Sequence, residues 1–250
     1  MKKHLSVFSL LARESIYKIF LLWICSFATQ AFIFMLQLKK QLSAEIPSIK
    51  NTFEGAFIHI IFFIFFVVML LLLTKTGMQF SSKTGYTLRR LRISEKSVFL
   101  LQSLYNFIMV FLTLLFEIIL CFILANTAAN KLPSQFITNQ SVYIAFYDSA
   151  FLQNLFAGVD TARIIRNIIT IISLAVNCAA FSYLIRRNKK LYSIIIVIAL
   201  SFSIFAAPPE AISPFAAAGL AEDVFKIFAM LIMGIIAVSA VVLGKEQYDE

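Results

Sequence analysis

The run AFIHIIFFIFFVVMLLLLT, residues 56–74, contains no charged residue, and only His59 and Thr74 are polar. A helix that crosses a membrane needs about 20 consecutive, mostly apolar residues. In lipid each backbone amide must find its hydrogen bond inside the protein, which leaves helices and closed barrels as spanning structures. Barrel strands alternate between apolar and polar residues, and this run does not. It therefore predicts a transmembrane helix.

The composition of the whole chain agrees with a membrane protein. Of its 250 residues 60% are hydrophobic, 27 are phenylalanine and only 14% are charged. Soluble domains have about 45–50% apolar and about 25% charged residues. The net charge of +9 would suggest nucleic acid in a soluble protein. Here the positive residues lie between apolar runs, so we expect contact with membrane lipids and no nucleic acid.

Outward from residues 56–74, the chain holds five more apolar runs that could cross a membrane. We predict an all-α integral membrane protein, with residues 1–250 forming a single transmembrane domain. The fourth and fifth spans are separated only by RRNKK, residues 186–190, and are predicted to form a helical hairpin. The six predicted spans are about 19–38, 56–74, 98–125, 168–185, 191–207 and 224–243.

The distribution of lysine and arginine predicts the orientation. With both termini in the cytosol, 15 of these residues lie inside and 7 outside, as the positive-inside rule requires. Arg163 and Arg166, beside the fourth span on the outer side, are the weak point of this count. The first residues lack a small-residue cleavage site, so no cleavable signal peptide is expected. We expect a multi-pass protein of a bacterial cytoplasmic membrane.

Three segments are predicted to lie at the membrane surface. Residues 2–18 carry an apolar helical face and are expected to form an interfacial elbow helix before the first span. Residues 126–167 form a long outer loop, in which the aromatic-rich stretch 142–157 is re-entrant, interfacial or a seventh span. Residues 208–223 contain three prolines and are predicted to be a broken re-entrant segment on the outer side. The apolar face of the elbow consists of Leu5, Phe8, Ala12 and Ile16.

The densest positive charge of the chain follows the opening run. Arg89, Arg90 and Arg92 lie in residues 75–97, the predicted cytosolic segment between the second and third spans. One explanation is a topological anchor that holds this segment in the cytosol and contacts anionic lipid. The other is a docking surface, because Ser94 can N-cap the next helix with Ser97 at the N3 position. Both explanations stay open at this point.

The pattern around this cluster resembles a known family. Gly85, Thr87, Leu88, Leu91, Ile93 and Ser94 precede an apolar helix. Together with the elbow helix, the six spans and the cytosolic termini, they resemble the permease subunits of ABC transporters of the second export type. Ser81, Ser82 and Lys83 stand where acidic residues often precede the Gly-Thr pair in that family, and Gln102 and Ser103 replace a common Gly-Lys pair.

The resemblance implies that this inner segment docks on a separate ATP-hydrolysing subunit. Two copies of that subunit would bind ATP and Mg²⁺, and a second permease copy or a homologous sister permease would complete the transport path. The substrate would be hydrophobic or amphipathic. The residues that the resemblance assigns to coupling are Thr87, Arg89, Arg90, Arg92, Ser94 and Glu95.

The chain itself offers no nucleotide or catalytic motif. A GxxxxGK[ST] phosphate loop is absent. The three cysteines and two histidines have no metal-ligand or redox-motif spacing. We therefore expect no enzyme activity, cofactor or metal in this chain. The alternatives to an exporter subunit are a non-catalytic membrane assembly or sensor subunit and, with less support, an intramembrane enzyme.

Two polar residues interrupt the predicted spans. Glu117 lies near the middle of the third span, where a carboxylate costs roughly 2.5–3.5 kcal/mol on insertion scales. It is expected either to line a substrate path or to lie at a seam between helices. Asn177 in the fourth span is expected to hydrogen-bond between helices. Ala175 and Ala179 form a small-xxx-small pair that favours close helix packing.

Overall fold

The structure is a computed structural model that describes residues 2–43, 47–75, 94–133, 141–156, 160–185, 193–205 and 216–243. These residues are almost entirely helical and contain no strand. In chain order the described helices are α1 (Lys2–Leu42), α2 (Ile49–Gly55), α3 (Ile58–Lys75), α4 (Glu95–Lys131), α5 (Ser141–Asp148), α6 (Ala150–Phe156), α7 (Thr161–Ile185), α8 (Ser193–Phe205) and α9 (Ala216–Leu243).

Within the described ranges, five helices are long and apolar enough to cross a membrane, namely α1, α3, α4, α7 and α9. The prediction of an all-α, multi-pass membrane protein is confirmed at this level. The predicted fifth span, 191–207, corresponds to α8, which has 13 residues and is about 20 Å long. The hydrocarbon core of a bilayer is about 30 Å thick, so the sixth crossing stays a prediction.

The first helix differs from the predicted arrangement of an elbow followed by a span. α1 runs unbroken for 41 residues from Lys2 to Leu42. No glycine or proline lies in this range, and these are the residues that most readily end or kink a helix. The amphipathic segment 2–18 therefore continues directly into span 19–38, and no break separates an elbow.

The predicted outer loop, 126–167, is shorter than expected. α4 continues to Lys131 and α7 begins at Thr161. Between them lie α5 and α6, with 8 and 7 residues, which are too short to cross a bilayer. Neither helix alone is long enough to span, and the position of residues 142–157 relative to the membrane stays a prediction.

The last helix begins earlier than predicted. α9 starts at Ala216, so the second half of segment 208–223 belongs to it, and 208–215 lie outside the described residues. All three prolines of that segment precede residue 215. The sequence after them contains several alanines, which favour a helix.

Polar and aromatic contacts fix the relative directions of the long helices. Ser15 contacts Tyr105, and further along Gln30 contacts Glu117, so α1 and α4 are parallel. α7 and α9 are also parallel, because hydrogen bonds join Arg166 to Asp223 and Ser173 to Met230. α4 and α7 are antiparallel, because Phe99 meets Tyr183 and Asn106 meets Ala175. Spans with these directions alternate along the chain if the predicted sixth crossing, at α8, lies between α7 and α9.

Candidate functional site

The predicted coupling residues lie mostly outside the described residues. Thr87, Arg89, Arg90 and Arg92 fall in the range 76–93, which the structure does not describe. The helix that follows them in the chain, α4, is described and begins at Glu95. Ser94 is its N-cap, as predicted, because its Oγ accepts a hydrogen bond from the Ser97 backbone N–H at 3.3 Å. The arginine cluster thus leads directly into a capped α4.

Three hydrogen bonds join α1 to α4 along one line, which we call the α1–α4 seam. The hydroxyls of Ser15 and Tyr105 lie 2.5 Å apart. One to two turns further along each helix, Trp23 Nε1 donates to Thr113 Oγ1 at 3.1 Å, and then Gln30 Nε2 donates to Glu117 Oε2 at 3.0 Å. Their spacing of seven to eight residues on α1 keeps one face of that helix turned toward α4. The seam is therefore polar at regular intervals within an otherwise apolar contact.

Glu117 is enclosed in this seam, with 1% of its surface exposed. The Gln30 amide that donates to it also donates to Ser26 Oγ at 2.9 Å. On the other side, Cys121 Sγ lies 4.0 Å from Glu117 Oε1. Of the two roles considered for this residue, the position between α1 and α4 is the one expected of a helix seam.

Asn177 is fully buried and contacts three helices. Its Nδ2 donates to the Ser173 carbonyl of its own helix at 2.9 Å and to the Met233 carbonyl of α9 at 3.5 Å. Its Oδ1 accepts a hydrogen bond from Ser193 Oγ at the first residue of α8, at 2.7 Å. Asn177 therefore connects α7, α8 and α9, which is the interhelical bonding expected of an asparagine at membrane depth.

Sequence reasoning missed a polar cluster around Arg166, which it treated as a loop charge. Arg166 is 2% exposed, and its NH1 donates to Asp223 Oδ1 of α9 at 2.5 Å. Its NH2 donates to Asn154 Oδ1 of α6 at 3.3 Å and to Asn167 Oδ1 at 3.1 Å. Asn167 Nδ2 in turn donates to the Asn154 carbonyl at 2.8 Å. These residues, Asn154, Arg166, Asn167 and Asp223, form what we call the Arg166 cluster.

The Arg166 cluster compensates its buried charge through pairing. A buried guanidinium is expensive unless it has a charged partner and hydrogen bonds for its remaining donors. Arg166 has both, and Arg163 Nε adds a longer contact of 3.8 Å to Asp223 Oδ2. Next to the cluster on α9, Lys226 pairs with Glu222 at 2.6 Å and donates to the Ser203 carbonyl at 3.2 Å. That carbonyl lies in the last turn of α8, where a cation is favourable.

The spacing of the polar residues along α7 is a sequence signal for the Arg166 cluster. Polar residues recur along it at intervals of three and four, which is one helical face, and all of them are buried. Isoleucines occupy the opposite face and are 40–49% exposed. In a soluble helix the polar face would point outward, so α7 has the inverted pattern of a helix in lipid. The buried face carries Arg166, Thr170, Ser173 and Asn177, and the exposed face carries Ile164, Ile165, Ile168 and Ile172.

An apolar groove of about 600 Å³ lies between α7 and α9 on the surface of the helix bundle. Ile169, Val176 and Ile235 are among its lining residues. The Ser173 hydroxyl in this groove donates to the Met230 carbonyl. The groove is therefore an apolar surface, suited to lipid contact.

No metal centre is apparent in the part of the chain that the structure describes, since no three His, Cys, Asp or Glu side chains come together there. Comparison of the chain with protein-family models, curated proteins and solved structures finds no match.

Proposed function

We propose that the chain is the membrane-spanning subunit of an ATP-driven ABC exporter of the second export type. The observation that carries the proposal is the sequence at 85–94, which resembles the coupling segment of such permeases. Two features of the fold are compatible with it. A capped helix starts at Glu95, directly after this segment, and five of the described helices are long and apolar enough to cross a membrane.

In this proposal the energy comes from a partner. Two ATP-binding subunits would hold ATP and Mg²⁺, and their closure on ATP would push the cytosolic segment 75–97 and the N-terminal part of α1. A second copy of the chain or a sister permease would enclose the path. The cargo would be a hydrophobic or amphipathic molecule, moved across a bacterial cytoplasmic membrane with both termini of this chain in the cytosol.

The experiment that tests the proposal exchanges Arg89, Arg90 and Arg92 together for lysine. An anchor needs only positive charge, which lysine keeps. A docking surface uses the planar guanidinium for paired hydrogen bonds, which lysine cannot make. We expect normal insertion and membrane level, but a several-fold loss of ATPase subunit that co-purifies with the chain, and a similar loss of ATP-driven transport in vesicles.

The matched control makes the same exchange at Arg186 and Arg187, which lie in the other predicted cytosolic turn. It should retain the ATPase subunit as the unmodified chain does. Normal retention and transport in the triple variant would make the cluster a lipid anchor. If no ATPase co-purifies with the unmodified chain from its native membrane, the exporter proposal is wrong, and a non-catalytic assembly or sensor subunit takes its place.

A further inference from the structure

Glu117 has no charge partner among the described residues. It lies at membrane depth in α4, almost fully enclosed. α1 presents the neutral Gln30 to it, which also contacts Ser26, and α4 presents Cys121. No lysine, arginine or histidine of the described ranges forms an ion pair with it. In the same molecule the buried Arg166 does have a charged partner, because it lies 2.5 Å from Asp223.

An ionised carboxylate in this setting would be expensive. Moving a charge out of water into an apolar interior costs several kcal/mol even after relaxation, and a buried charge needs a partner to offset that cost. One amide donor and a distant thiol do not supply it. A carboxyl group under these conditions takes up a proton and becomes neutral.

We propose that Glu117 binds a proton, and that the α1–α4 seam is a proton-binding site inside the membrane. The ligand is a single proton, held by the Glu117 carboxyl and supported by the Gln30 amide. The Gln30 side chain suits both states of such a site. Its Nε2 donates to the carboxylate, and with the amide turned over its Oε1 takes the same place and accepts from the acid.

The surroundings of Gln30 agree with this role. Its Oε1 is buried and has no hydrogen-bond partner as oriented here. Its Nε2 lies 3.0 Å from Glu117 Oε2 and 2.9 Å from Ser26 Oγ. A neutral Glu117 and the Ser26 hydroxyl can both donate, so an oxygen at the Nε2 position would be matched by two donors. The inference does not depend on the exporter proposal.

Infrared spectroscopy of the chain at neutral pH, in vesicles of ether-linked lipids that contribute no ester carbonyl band, tests the inference. A protonated carboxyl has a C=O stretching band that an ionised carboxylate lacks. We expect this band in the unmodified chain and its loss in Glu117→Gln. The matched control is Glu222→Gln, which removes a half-exposed carboxyl paired with Lys226 and should leave the band unchanged.

A second variant keeps the test independent of how well Glu117→Gln folds. Gln30→Leu removes the hydrogen bond and leaves the acid in place, so the band should remain and move to higher frequency. Absence of the band from the unmodified chain, its persistence in Glu117→Gln, or an unmoved band in Gln30→Leu would each overturn the proposal. Loss of the band on adding sodium at constant pH would also overturn it, because a metal cation would then be the ligand.

Discussion

Arg166 and Glu117 are both buried, but their surroundings offset the desolvation of the side chain in different ways. Arg166 keeps its charge because Asp223 and two asparagine oxygens surround the guanidinium. Glu117 has only neutral neighbours. Removing one member of a charged pair leaves the other buried alone, whereas changing a neutral group removes only a hydrogen bond. Substitutions at Arg166 should therefore lower the free energy of unfolding more than substitutions at Glu117.

Arg166→Ala should lower the free energy of unfolding in detergent by about 3–5 kcal/mol, because Asp223 is then buried without its partner. Adding Asp223→Leu to an Arg166→Met variant should recover much of that loss. The matched control is Arg163→Ala, since Arg163 is more exposed and contacts Asp223 only at 3.8 Å; it should lose less than about 1 kcal/mol. A double variant as unstable as the sum of its single changes would contradict the buried pair.

The two residues also differ in how well sequence predicts them. Glu117 is the one charged residue within its apolar run, so the sequence alone identifies it as a candidate buried polar residue. Arg166 lies where an apolar run begins, and positive charge there resembles an ordinary loop flank. Only its position on the same helical face as Thr170, Ser173 and Asn177 distinguishes it from such a flanking charge. Its partners Asn154 and Asp223 are 12 and 57 residues away, and no local pattern connects them.

At the scale of the helix, α1 and α4 are held in register by the three polar contacts of the α1–α4 seam. Side-chain hydrogen bonds within membranes contribute about 0.6 kcal/mol on average, so their energy is modest. Their main effect is on direction, because all three are satisfied together only when the helices are parallel and in this register.

Cysteine cross-linking tests that register in a background without the three native cysteines. Cysteines at Ser15 and Tyr105 should be joined by a short bifunctional reagent, because those side chains touch in the structure. The control pairs Ser15→Cys with Glu117→Cys, which lies 12 residues or about 18 Å further along α4 and should remain unlinked. Efficient linking of the control pair alone would mean that the two helices are not parallel in this register.

A substitution at Asn177 tests whether this residue joins α7, α8 and α9. Asn177→Leu removes the acceptor of Ser193 Oγ and the donor to Met233, and should lower the free energy of unfolding by about 0.5–2 kcal/mol. Ser239→Ala is the control, because its hydroxyl bonds only within its own helix and should change stability little. Equal effects of the two substitutions would show that Asn177 does not join helices.

The existence of the long helices could be predicted from apolar run length, but their ends could not. Residues 2–18 alone have an interfacial pattern, and periodicity does not show whether a helix bends where its pattern changes. In α1 nothing in the sequence interrupts the backbone, so the helix continues. The start of α9 was placed too late because the residues from Ala216 to Asp223 are less apolar than a span, although they readily form a helix.

For the whole molecule, contacts between helices give their relative directions only, so the absolute orientation in the membrane is predicted from the charge distribution. Single cysteines at Ser48 and Ser213 should react with an impermeant reagent from outside, because the positive-inside count places those connections there. Cysteines at Ser82 and Asn188 should react only after the membrane is permeabilised. The reverse pattern would invert the topology and remove segment 75–97 from the cytosol.

The length of α1 has a mechanical consequence. Its 41 residues extend about 61 Å, whereas a bilayer with its headgroups is about 40–45 Å thick. A rod of that length must project from the membrane or cross it at a steep slant. Pivoting by about 10° around its midpoint would carry each tip through about 5 Å, as follows from the same rise per residue. If α1 pivots as one body, it would act as a lever, in which a small displacement at Lys2 moves Leu42 in the opposite sense.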